Sequence, residues 1–167
     1  MTEIGASHSY TGLKAAAILL GLGLGGFFDG IVLHQILQWH HMICDERTCV
    51  AHSIEDLQRK TFFDGLFHAG CWVLSVAGLV VLSRSRLPTE YFARRLFGWA
   101  FAGWGAFNLV EGIVDHQILG IHHVKFDEHT FLWDMAFLAW GALMLVGGWI
   151  VARDRTGSSA PVEAGET

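Results

Sequence analysis

Charge is what this chain has least of: only 16% of its 167 residues are Asp, Glu, Lys or Arg, against 52% hydrophobic. A water-soluble domain carries about 25% charged residues, so an ordinary soluble globule is excluded. The few basic residues form no stripe with interleaved aromatics, which excludes a nucleic-acid footprint. Proline is nearly missing, with two in all, and Pro88 falls in a connection, where it interrupts no helix. Methionine forms no cluster: Met42 and Met135 alone do not make a copper(I) motif. No nucleophile motif is present, and the Glu-x-x-His signature of soluble di-iron bundles is absent.

What fills the chain instead is apolar helix. Four stretches, 13–40, 61–83, 96–121 and 130–152, match the length of about 20 residues that a membrane span needs. The expected fold class is therefore all-α integral membrane, a bundle of four transmembrane helices in a single domain over 1–155. The segment 15–26 has the small, apolar composition of a signal peptide, but it runs on into a polar motif and is read as a span. Arg84, Arg86, Arg94, Arg95, Arg153 and Arg155 lie at one end of the helices. The positive-inside rule then puts both termini in the cytoplasm, with loops 41–60 and 122–130 outside. Residues 156–167 are small and polar, and a disordered tail is expected there. Cys44 and Cys49 flank a short outer-loop segment and are expected to form a disulfide, whereas Cys71 sits mid-helix as a free thiol.

One motif occurs twice. Residues 29–41 read D-G-I-V-L-H-Q-I-L-Q-W-H-H and residues 111–123 read E-G-I-V-D-H-Q-I-L-G-I-H-H, nine of thirteen positions being identical. A softer match pairs T-F-F-D at 61–64 with T-F-L-W-D at 130–134. The expected origin is tandem duplication of a two-helix unit, with repeats at 13–83 and 96–152. Glycines crowd the first and third helices, so these two are expected to meet at the centre and bring the motifs together.

Ionisable groups in a span are costly and mark functional sites. The expected metal donors are His34, His40, His41, Asp64, His68, His116, His122, His123 and Asp134. On straight helices at 1.5 Å per residue, His34, His68 and His116 lie about 12 Å deep, and the two His-His pairs lie at the surface. Asp29 and Glu111 come out deeper, at about 18–20 Å. They are expected, with Asp115, Gln35 and Gln117, to orient ligands or to line a proton or ion path. Imidazole and carboxylate suit iron, zinc or copper(II), and the twofold pattern invites a dinuclear site with redox chemistry. Haem between His34 and His116 is a lesser alternative, and a cofactor-free structural subunit a further one.

The pattern D/E-G-x-x-x-H-Q-x-x-x-x-H-H resembles a bacterial family of predicted four-helix inner-membrane proteins of unknown function, over nearly all of 10–152. The resemblance implies fold and location, and hints at metal handling such as copper delivery for oxidase assembly. The lipid bilayer is the expected partner, with room for a membrane protein partner or a second copy, and no nucleic acid.

Overall fold

The computed structural model describes residues 3–44, 51–85 and 91–153. Cys49, Arg86, Pro88, Arg155 and the expected tail at 156–167 lie outside the described residues. Four long helices make the fold: α1 (Glu3–Phe28), α2 (Ile54–Ser83), α3 (Phe92–Glu111) and α4 (Thr130–Ala152). Among the described residues there is no strand.

Three helical runs, Tyr10–Ile36, Ile54–Ser83 and Thr130–Ala152, are long and apolar enough to cross a membrane. The third helix, which carries Asn108 and Glu111 buried within it, is not among them. The outer faces of α2 and α4 leave Phe62, Leu66, Trp72, Phe131, Trp140 and Leu143 exposed. An apolar area of that extent needs lipid or protein against it.

The helices pack in the order α2, α1, α3, α4: α1 touches α2 and α3, α3 touches α4, and among the described residues α2 and α4 do not meet. The arrangement is an open row, with α1 and α3 at its centre, as their glycines foretold. A Cβ on Gly103 would lie 2.5 Å from the Ile18 carbonyl, and one on Gly21 would collide with the Ala100 carbonyl. Backbone-to-backbone approach of this kind is what small residues permit between membrane helices.

Both central helices change character at the same place. Beyond α1 the chain continues as a π-helix, π1 (Asp29–Ile36), and beyond α3 as π2 (Gly112–Leu119). A π-helix bonds i to i+5, so residues five apart stand over one another. Asp29 and His34 have that spacing, as do Glu111 and His116. On an α-helix the same pairs would point about 140° apart.

Each π-helix ends on a left-handed residue, Gln38 (φ 52°) and Gly120 (φ 58°). The chain then doubles back, held by Trp39 N donating to Leu33 O (3.0 Å) and Ile121 N donating to Asp115 O (3.1 Å). The two returning segments are tied to each other by Cys44 N donating to Ile121 O at 3.0 Å. Cys44 is disulfide-bonded and Cys71 is a free, buried thiol; the expected partner of Cys44 is among the residues not described.

Candidate metal centre

The reversal after each π-helix carries His40 and His122 back into the protein, where both are fully buried. Straight-helix counting placed them at the surface; the doubled-back chain is why they are not there. Four imidazoles now share one small volume. Ring centroids are 4.5 Å apart for His34 and His40, 4.9 Å for His40 and His122, and 4.8 Å for His116 and His122.

Their Nδ1 atoms are mostly spoken for. His34 Nδ1 stands 3.0 Å from Asp64 Oδ1. His40 Nδ1 stands 2.8 Å from the Val124 carbonyl, and His122 Nδ1 stands 3.3 Å from the Met42 carbonyl. Carboxylate and carbonyl oxygens only accept, so Nδ1 carries the proton in all three rings. A neutral ring then has a lone pair at Nε2. His116 Nδ1 lies 3.3 Å from Asp134 Oδ1 without completing a hydrogen bond.

The four Nε2 atoms of His34, His40, His116 and His122 are buried and have no hydrogen-bond partner. They face two buried carboxylates, Asp29 and Glu111, whose Asp29 Oδ2, Glu111 Oε1 and Glu111 Oε2 are equally unpartnered. His34 Nε2 is 3.0 Å from Asp29 Oδ2, His40 Nε2 is 3.8 Å from Asp29 Oδ1, and His122 Nε2 is 3.5 Å from Glu111 Oε1. Lone pairs facing lone pairs at such distances repel unless a proton or a cation lies between them. Donors bonded at 2.0–2.2 Å to one ion stand roughly 3–3.5 Å apart. Two groups can hold a metal ion: Asp29, His34 and His40, and Glu111, His116 and His122, each with its donor atoms within 4.8 Å of one another. Burial, with the neighbouring His40 and His116, holds His122 well below the ordinary imidazole value, which keeps the ring neutral as a ligand must be.

The other expected donors stand elsewhere. Asp64 accepts from His34, from His41 Nδ1 (2.8 Å), from the Met42 backbone N (2.8 Å) and from Gln35 Nε2 (3.1 Å). Asp134 does the same work in the second half, accepting from His123 Nδ1 (2.6 Å), Val124 N (3.1 Å) and Gln117 Nε2 (3.3 Å). These two carboxylates brace the histidines from behind, and His41 and His123 are partly exposed braces of the same network. Asp115 is only half-buried and belongs to neither group; its backbone carbonyl accepts from Ile121 N.

His68 stands apart. Its ring lies against Gly30, where a Cβ would collide with Nε2, and it packs on Phe27 and Phe67. The corresponding neighbour of Gly112 is Leu138, so the second half has a leucine where the first has His68.

Residues 16–155 match the family described as predicted membrane protein (DUF2243), and the chain belongs to that family. Neither a curated protein nor a solved structure matches it.

Proposed function

We propose that this is an integral membrane metalloprotein that holds two metal ions side by side. Asp29, His34 and His40 bind one ion, and Glu111, His116 and His122 bind the other. The observation that carries the reading is the convergence of buried, unpartnered donors: four Nε2 atoms and the oxygens of two carboxylates. Uncompensated, each buried carboxylate would cost several kcal/mol. Asp64 and Asp134 act on the ligands and not on the ions, fixing tautomer and ring orientation from the far nitrogen.

Each group offers two histidines and one carboxylate. With open positions, that set is the facial triad of non-haem iron oxidation catalysts; closed by a fourth ligand it serves zinc. The pairing of two such sites favours a redox role, with iron as the first candidate metal. A delivery role for ions such as copper is the second reading, supported by the partly exposed His41 and His123 joined to the buried histidines through Asp64 and Asp134.

The fold is best read as a duplicated two-helix unit in one membrane domain, with α3 and π2 as its fourth span. Lys14 over Trp99 (4.2 Å) and Arg153 over Trp149 (4.8 Å) make a cationic, aromatic belt at the end away from the histidines. That belt supports an inner-membrane placement with both termini cytoplasmic.

Elemental analysis and an optical spectrum of detergent-purified protein test the site, beside His34→Ala/His116→Ala and His41→Ala/His123→Ala variants. About two ions per chain are expected, as two groups of donors require, lost in the first variant and largely kept in the second. Tight, stoichiometric metal supports the enzyme, and labile metal the delivery role. No metal in the parent protein after reconstitution would overturn the proposal.

A further inference from the structure

Because α1 and α4 both pack on α3 and, among the described residues, not on each other, a cleft runs between them with α3 as its floor. Two cavities occupy it. The one toward the histidines, 210 Å³, is walled by Trp39, Trp104, Trp133 and Trp140, and has Asp29 and Asn108 as its polar lining. The other, 390 Å³, continues past Trp104 and is apolar throughout, bounded by Gly21, Leu24, Phe101 and Gly148.

The two halves of the protein correspond closely around the donors, yet they differ here. The places matching Trp39, Trp104, Trp133 and Trp140 are held by Ile121, Leu22, Phe63 and Gly70, and the place of Asn108 by Gly26. None of those corresponding places carries an indole. The donor groups alone do not require that difference.

We propose that this cleft binds a lipid-borne hydroquinone, its ring among the tryptophans and its apolar tail along the inner groove. The flat walls suit an aromatic ring. At 210 Å³ the outer cavity is smaller than the roughly 300–1,000 Å³ of sites for whole small molecules, so it takes a head group while the tail lies in the groove. Asp29 lines the end of this cavity nearest the donors, where its carboxylate can accept from a ring hydroxyl. The Asn108 amide, which here donates to the weak acceptor Met144 Sδ at 3.9 Å, is free to turn to a ring oxygen. The cleft thus brings the ring to a carboxylate of the proposed metal group, and the inference names a substrate class for that site and rests on that reading.

The test is quenching of tryptophan fluorescence by a decyl-substituted benzoquinone in detergent, with the matching hydroquinone as competitor under anaerobic conditions. Saturable binding at one per chain is expected, displaced by the hydroquinone and not by decanol. Ala136→Phe, which fills the cavity from an exposed position on α4, and Asn108→Leu should each weaken it about tenfold. Unsaturable quenching, or affinity unchanged in both variants, would overturn the proposal. Equal displacement by decanol would also overturn it and leave an acyl-chain groove. Metal is measured on the same samples: binding without metal defeats the metal reading alone, and metal without binding defeats this one alone.

Discussion

Replacing Asp64 by Asn separates the two carboxylate roles. In the native protein Asp64 takes four donors, at 3.0, 2.8, 2.8 and 3.1 Å. Asparagine has one oxygen, and its NH2 group must face donors that the carboxylate used to accept. Roughly two of the four contacts are lost, each worth about 1.5–3 kcal/mol as a bond to a charged group. Part of that loss falls on folding. The rest reaches the ion through a His34 ring no longer held in one tautomer, and removal of such a brace costs about 10- to 100-fold in metal affinity. That factor is about 1.4–2.7 kcal/mol. A chelator series of graded strength, with elemental analysis after each step, reads it directly. Asp64→Asn should still load both ions and release one of them to a weaker chelator. Asp29→Asn should load only one. If Asp64→Asn fails to load an ion while Asp29→Asn keeps two, the assignment of ligand and brace is wrong.

Other expectations follow from the fold. Gly103→Val should separate α1 from α3 and abolish metal loading, because its first added carbon meets the Ile18 carbonyl at 2.5 Å; size-exclusion chromatography with metal analysis checks it. Gln38→Gly should raise stability by about 1 kcal/mol by relieving a left-handed non-glycine residue, read as a higher melting temperature in detergent with metal content unchanged. The metal-free protein should lose stability as pH falls below the ordinary imidazole value of 6.5, because the unfolded chain then protonates His122 and the folded chain does not. The slope approaches about 1.4 kcal/mol per pH unit for that one group, and bound metal should hold His122 unprotonated to lower pH. A thermal melt series from pH 5 to 8 that stays flat would refute it.

The helices and their central glycines were legible because apolar length and small residues are local properties. His34 and His116 were legible for the same reason, being polar groups inside apolar runs. What misled straight-helix counting was the switch to π-helix at Asp29 and Gly112, which brings residues five apart into line. A D-x-x-x-x-H spacing, written twice as D/E-x-x-x-x-H, carries that signal, though only if a wider turn is considered. The reversals at Gln38 and Gly120 hid the depth of His40 and His122: glycine marks one of them, and nothing marks the other. A carboxylate one turn inside a span has the same sequence signature whether it meets an ion or a histidine, and Asp64 and Asp134 here meet histidines.

The hydrogen bonds of His40 and His122 run crosswise. His40 belongs to the first half and is fixed by the Val124 carbonyl of the second, while His122 of the second is fixed by the Met42 carbonyl of the first. Neither half, made alone, can set both of its own imidazoles for coordination. On the proposed metal reading, uptake would therefore wait for the end of synthesis: a chain released after α2 would lack the partner carbonyl that fixes His40, and only the union of the two halves would complete a place for an ion.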